Sequence, residues 1–273
     1  MGAFKEKIII ITGGASGIGK ALGQRLSDKG AHVILADVNT KMLEDTVNSI
    51  SKEGGLSEAV TLDVTDRIKV KQLVDDTVAK RGRLDYMFNN AGIGVAGEAR
   101  DFSYEDWQKV IDTNLYGTVN GVFAAYHVMV KQGFGHIINT ASLAGLIPVP
   151  GEISYTASKY GIVGLSNALR IEGTKLGVRV SVVCPGLIDT PIYHTVKAAN
   201  VDREKFLSEL PKKMTSADSC ARIVLKGVER NKAIIIVTPL ARIMWITQRV
   251  SPGLIRIIWA LFLKILRKAR ISD

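Results

Sequence analysis

Tyr155 and Lys159, four residues apart in Y-T-A-S-K, can do acid–base chemistry if a helix sets them on one face. A phenol with an ordinary pKa of about 10 is a poor base at neutral pH. A neighbouring ammonium and a cationic ring both favour the phenolate and lower that value. Ser142 follows the strand-like run His136-Ile137-Ile138-Asn139-Thr140 and offers a hydroxyl to polarise a substrate oxygen. Taken alone, a helical Tyr/Lys pair more often lies on a solvated face. The pair gains meaning from a glycine-rich turn far upstream, T-G-G-A-S-G-I-G from Thr12 to Gly19. That turn follows the apolar run Ile8-Ile9-Ile10-Ile11 and leads into Lys20-Ala21-Leu22, which reads as strand, tight turn, helix.

Gly13 and Gly17 permit φ values closed to other residues, so the backbone can approach a pyrophosphate. Gly19 lets the helix pack closely on the strand, and the helix N-terminus presents N–H groups to the anion. A second strand-like run, His32-Val33-Ile34-Leu35-Ala36, ends at Asp37, 18 residues beyond Gly19. An acidic side chain there accepts the ribose hydroxyl hydrogens of adenosine and repels a 2′-phosphate. Ser16 offers no compensating cation, and Lys41 falls on the next helix facing water. NAD is therefore expected over NADP.

With these motifs in this order, the chain resembles the short-chain dehydrogenase/reductases, a single-domain Rossmann-like group. The resemblance covers roughly Lys5 to Pro239. It rests on the glycine turn, L-D-V (Leu62 to Val64), N-N-A-G (Asn89 to Gly92) and Asn114 in D-T-N-L-Y-G. Further along come Ser142, Tyr155 with Lys159, and P-G-L-I-D-T (Pro185 to Thr190). It implies a catalytic set of Asn114, Ser142, Tyr155 and Lys159, with Tyr155 exchanging a proton with the substrate oxygen. Asn114 would hold a water linking Lys159 to solvent, and Lys159 would also bond the nicotinamide ribose. The implied cofactor contacts are Gly13, Ser16, Gly17, Ile18, Gly19 and Asp37, then Asp63 and Val64 at the adenine. Asn90, Ala91 and Gly92 would hold the central strand beside the cofactor. Pro185, Gly186, Ile188 and Thr190 would hold its nicotinamide end.

The elements that must position these groups are legible as apolar runs at Ile8, Val33, Leu84, Ile137, Val178 and Ala233, alternating with helical stretches. Such alternation predicts an α/β fold: a Rossmann-like, doubly wound, mostly parallel sheet with helices on both faces. No linker or repeat divides the 273 residues, so a single domain over 1–239 is expected, followed by a C-terminal tail over 240–273. Long helices are expected over about Tyr104 to Lys131 and Ile153 to Lys175. Two cysteines, Cys184 and Cys220, form no disulfide framework, and four scattered histidines form no metal-ligand cluster. The short apolar run after Lys7 reads as a first strand rather than a signal peptide, so a reducing, cytoplasmic setting is expected.

The formal charge of +10 is concentrated at one end. Residues 240–273 carry Arg242, Arg249, Arg256, Lys264, Arg267, Lys268 and Arg270 against one acid, Asp273. Pro252-Gly253 splits this tail into two helices. In the second, the basic residues fall within a sector of roughly 160° at about 100° per residue, opposite an arc of Leu, Ile, Trp and Phe. No charge-free stretch approaches the ~18 residues that span a bilayer. An amphipathic helix lying on an anionic membrane surface is the expectation; packing on a partner subunit or over the active site is the alternative. Nucleic acid is not expected, because large aliphatics interrupt the positive residues.

Leu143 to Pro150 and Ile93-Gly94-Val95 suggest apolar pocket walls. The 187–214 segment reads as a mobile substrate loop that mixes apolar and charged residues without an arginine clamp. The expected substrate is a hydrophobic secondary alcohol or ketone of steroid, retinoid or long-chain lipid type. A 3-oxoacyl-thioester reductase is the second enzymatic reading, and an NAD-sensing or membrane scaffold the non-enzymatic one. The resemblance further implies a homodimer or homotetramer built on the two long helices.

Overall fold

The computed structural model describes residues 2–208 and 213–271. Seven parallel strands form the central sheet: β1 (Ile8–Thr12), β2 (His32–Asp37), β3 (Leu56–Thr61), β4 (Tyr86–Asn89), β5 (Gly135–Thr140), β6 (Val178–Cys184) and β7 (Ile234–Ile236). Their order across the sheet is β7-β6-β5-β4-β1-β2-β3. The chain winds outward from β1 to β3, crosses back, and winds outward again from β4. The reversal leaves the carboxyl ends of β1 and β4 side by side, where open α/β sheets bind ligands.

The continuous apolar run of β1 follows from this placement. Ile9 and Ile11 point to one face and join Leu22, Leu26, Val224 and Leu225. Ile8 and Ile10 point to the other and join Val70, Val74, Val122 and Met129. A strand covered on both faces needs no polar alternation. The first face is closed by α1 (Gly17–Asp28), α2 (Thr40–Lys52) and, from the far end of the chain, α9 (Ala217–Glu229). The second is closed by α3 (Arg67–Arg81), α5 (Gly117–Gln132) and α6 (Ile153–Gly173).

The apolar runs miss β3. Its residues Leu56-Ser57-Glu58-Ala59-Val60-Thr61 pair with β2 on one side only and remain half to fully exposed. Edge strands carry polar and charged residues because one side meets water. Glu58 accordingly makes ion pairs with Lys80 and Arg81 of α3.

The long helix expected over 104–131 is real but interrupted. The α4 helix (Tyr104–Val110) runs into one π-helical stretch, Ile111–Tyr116, before continuing as α5. Such widened turns often mark functional positions, and this one carries Asn114.

After β6 the substrate-loop segment contains short helices α7 (Ile192–Thr195) and α8 (Arg203–Ser208). Two-residue bridges tie Ile188–Asp189 to Thr215–Ser216 and Lys197–Ala198 to Val95–Ala96. Residues 209–212 of that expected loop lie outside the described residues. The tail forms α10 (Pro239–Val250) and α11 (Pro252–Lys268), split at Pro252 as expected. It packs on the domain: Met244, Trp245 and Trp259 lie against Leu146, Ile147, Val182 and Cys184.

Candidate active site

The glycine turn has the geometry its residue types require. Gly13 (φ +67°) and Gly17 (φ +52°) occupy the left-handed region. A Cβ on Gly19 would sit 2.0 Å from the Gly13 carbonyl oxygen and 2.7 Å from Asn90 Nδ2. Gly19→Ala is expected to displace the whole turn and weaken dinucleotide binding at least tenfold, as read by titration calorimetry. Ser16 occupies the N-cap position of α1, yet its side chain makes no cap hydrogen bond. With Gly17 and Ile18 it is only partly covered, so this helix end is open to an anion.

Asp37 closes one side of the turn. Its Oδ2 accepts from the Ala15 N–H at 3.1 Å and its Oδ1 from the Asn39 N–H at 3.0 Å. The carboxylate is thus oriented at the end of β2 while staying partly exposed. Asp63 is also exposed, and its carboxylate accepts from the Thr65 N–H and hydroxyl. Val64 is buried against Gly117, with its carbonyl held by Asn120 Nδ2 at 2.9 Å.

One hydroxyl absent from the sequence expectations organises the next segment. Thr12 Oγ1 accepts from the N–H groups of Asn90 (3.0 Å) and Ala91 (3.1 Å). Asn90 Nδ2 in turn donates to the Thr12 carbonyl at 3.1 Å. These bonds join the carboxyl ends of β1 and β4 where the sheet order reverses. Across the crevice, a Cβ on Gly17 would lie 3.2 Å from Thr190, so the turn and the segment after β6 meet. Pro185 accepts from the Leu143 N–H at 2.7 Å, Gly186 lies against Thr238, and Ile188 is buried.

The α6 helix brings the acid–base groups together. Lys159 Nζ is 5.3 Å from the Tyr155 ring centroid and donates to the Thr140 carbonyl at 2.9 Å. Lys159 is only 3% exposed, and burial pulls its pKa down to about 8. Ser142 Oγ accepts from the Ala144 N–H at 3.1 Å, and a hydrogen bond from Ser142 favours the Tyr155 phenolate. Asn114 is fully buried: its amide donates to the Ile93 carbonyl (3.0 Å) and Ser158 Oγ (3.2 Å), and its Oδ1 accepts from the Ile93 N–H (2.8 Å). Asn114 Oδ1 and Lys159 Nζ both face Gly92.

One expectation about Tyr155 needs correction. Lysine proximity suggests a lowered phenol pKa, but burial pushes it above its ordinary value, with Glu152 adding to the rise. The ammonium is engaged by Thr140 and acts on the phenol from a distance, whereas desolvation is immediate. Glu152 is itself raised to about 7 by burial and also raises Tyr193, so α7 and the start of α6 face each other beside Tyr155. Glu152 belongs to no spaced motif and carries no sequence signal, whereas Tyr193 is expected only as an apolar residue of the 187–214 loop.

The apolar surroundings of Tyr155 are Ile93, Val95, Phe102, Val110 and Ala199. The expected wall from Leu143 to Pro150 divides differently: Ala144 to Ile147 turn inward and are buried. Cys184 is buried beneath the site with its thiol pushed up to about 12 by burial, and Cys220 behaves alike. Among the described residues no group of His, Cys, Asp and Glu could hold a metal ion.

A crevice at the strand reversal, a glycine turn under it and a Tyr/Lys/Ser group beside it define a Rossmann-type oxidoreductase. The family model for short chain dehydrogenases matches residues 7–201, and the chain belongs to that family. It is 35% identical over 242 residues to the oxidoreductase SadH of Mycobacterium tuberculosis, covering 87% of this chain and 88% of that one. It is 38% identical over 205 residues to the 3-oxoacyl-(acyl-carrier-protein) reductase FabG of Thermotoga maritima, covering 75% and 82%. Among solved structures, a short chain dehydrogenase/reductase from Burkholderia phymatum in complex with NAD aligns at TM-score 0.86. It is 26% identical, with 93% of this chain and 96% of that one covered.

Proposed function

We propose that this protein is an NAD-dependent dehydrogenase acting between a hydrophobic secondary alcohol and its ketone. The observation that carries the reading is the Tyr155 phenol, held beside Lys159 and Ser142 in a wall of Ile93, Val95, Phe102, Val110 and Ala199. Apolar walls with a few convergent polar groups suit a lipophilic substrate of steroid, retinoid or long-chain type.

The residues present fit the dinucleotide. The left-handed glycines and uncommitted Ser16 leave room for a pyrophosphate at the start of α1. Gly13, Gly17, Ile18 and Gly19 would shape this cradle, Asp63 and Val64 would flank the adenine, and Asn90 to Gly92 would line the centre. Pro185, Gly186, Ile188 and Thr190 would close the nicotinamide end. When bound, NAD supplies the hydride acceptor or donor and, oxidised, a positive charge beside the phenol.

The chain's own residues handle the proton. Ser142 holds the substrate oxygen, and Tyr155 takes its proton in oxidation or returns it in reduction. Lys159 steadies the phenolate through its charge. Asn114, fixed by Ile93 and Ser158, positions the backbone beside Lys159 where solvent can relay a proton.

Asp37 supports NAD over NADP, since Ala15 and Asn39 hold its carboxylate at the end of β2, where it would meet the adenosine ribose. Asp37→Ala is expected to narrow the NAD/NADP preference in kcat/KM by about tenfold or more, the effect of one relieved charge repulsion. An unchanged ratio would mean that Asp37 does not face the ribose.

A second reading, a 3-oxoacyl-thioester reductase, is favoured by the 38% identity to the Thermotoga maritima reductase. Absorbance assays with NAD(H) and NADP(H) against steroids, retinoids, long-chain alcohols and 3-oxoacyl thioesters separate the two. Turnover of a lipophilic alcohol with NAD supports the first; turnover of thioesters alone supports the second.

A further inference from the structure

The two tail helices have two apolar sides, and the domain uses only one. The inward side of α11 contributes Ile255, Trp259, Leu263 and Leu266, the last contacting Gly151. At its end the helix is clamped to the domain. Arg267 makes a two-pronged ion pair with Glu98 (2.9 and 3.2 Å), and Arg270 pairs with Asp101 at 3.1 Å. The Asp202 N–H donates to the Ala269 carbonyl and the Ile271 N–H to that of Asn200, so the clamp holds the substrate-loop segment directly.

The outward side is a second apolar stripe at helical spacing. Leu254, Ile257, Ile258, Leu261 and Ile265 of α11 all lie exposed, Ile257 at 62% and Leu261 at 58%. Leu240, Ile243, Ile246 and Val250 are likewise exposed, at helical spacing, on the adjoining α10. Exposed aliphatics clustered in this way mark an interaction surface. The stripe is bordered by Arg249, Arg256, Lys264 and Lys268, none of which makes an ion pair with any described residue. No acidic residue occurs from Pro239 to Ile271.

We propose that the outer face of α10 and α11 docks flat on an anionic bilayer surface. An apolar stripe bordered by cations fits the boundary between acyl chains and anionic headgroups. The helices lie on the membrane rather than cross it, since no helix among the described residues is long and apolar enough to span one. A second copy of the chain is a poorer occupant. A twofold contact would set the same basic border against itself, and like charges across an interface are unfavourable. The inner side of α11 grips the substrate loop, so docking would set the loop beside the lipid. That consequence rests on the proposed substrate class; the docking itself does not.

Co-sedimentation of the full chain with vesicles tests the proposal. Vesicles of phosphatidylcholine mixed with phosphatidylglycerol are expected to retain the protein, and vesicles of phosphatidylcholine alone much less. Adding salt should release it. Ile257→Glu with Leu261→Glu should lower the partition at least about tenfold. Arg256→Gln with Lys264→Gln should weaken binding to the anionic vesicles by about fivefold per charge removed. All four side chains are exposed, so thermal unfolding and the oligomeric mass should stay as in the parent chain. The proposal fails if the parent chain stays in the supernatant with anionic vesicles, or if the double glutamate variant binds equally well. It also fails if light scattering shows that variant falling from oligomer to monomer, which would assign the stripe to a second copy.

Discussion

Tyr155→Phe is expected to lower kcat by about 10³-fold, within the range of ~10²–10⁴ that a positioned acid–base group contributes. NAD affinity, read by fluorescence titration, should stay within about twofold. Only the phenol oxygen is removed. The ring packing against Ile93, Val95, Phe102, Val110 and Ala199 is retained, so the fold has no reason to change. The glycine turn and Asp37, which form the other end of the crevice, are untouched. Because burial holds the phenol protonated, alcohol oxidation should accelerate with rising pH as the small deprotonated fraction grows. Ketone reduction should stay level over the same range, since the phenol remains almost wholly protonated below its raised pKa. Near-parent kcat in the Tyr155→Phe variant would remove Tyr155 from the chemistry and with it the proposed mechanism.

Lys159→Met is expected to lower kcat by about 10²-fold or more while making the folded protein more stable at neutral pH. The side chain is 3% exposed, and its pKa falls from 10.5 to about 8 because burial disfavours the ammonium. Between those values the unfolded chain holds the proton and the folded chain has released it. The cost of the buried charge is therefore fully present below pH 8 and relieved as pH rises toward 10.5. A difference of this size corresponds to about 3 kcal/mol. Methionine conserves the length of the chain but leaves the Thr140 carbonyl without its donor, which returns about 1–2 kcal/mol. A net gain of about 1–2 kcal/mol at pH 7 should appear as a higher Tm. It should shrink above pH 8, where the parent has shed its penalty. A variant less stable than its parent at pH 7 would show that Thr140 compensates the charge fully.

Most of the fold was legible because buried parallel strands write themselves as apolar runs. Ile8 to Ile11 face two helical layers, so no position in the run is polar. The strand from Leu56 to Thr61 escaped the same test because only one of its sides is paired. The π-helical stretch at Asn114 was also invisible. It holds no Gly or Pro to mark a break, and Asn114 there bonds Ile93 and Ser158 of other elements.

Within the site, the sequence by itself determined whatever is local in the chain. The glycines of the turn are required at their own φ angles, Asp37 by its place at a strand end, and Tyr155 and Lys159 by one turn of helix. The tertiary structure alone decided what comes from elsewhere. Thr12 joins β1 to Asn90, the Thr140 carbonyl receives the Lys159 ammonium, and Glu152 and Tyr193 crowd the phenol. Backbone carbonyls and single hydroxyls carry no spacing signal, and desolvation is a property of surroundings, so the direction of the Tyr155 shift could not be read in advance. The tail shows the same division. Its composition announced an amphipathic helix, but two apolar sides exist, and only packing against Gly151, Glu98 and Asp101 settled which of them faces inward.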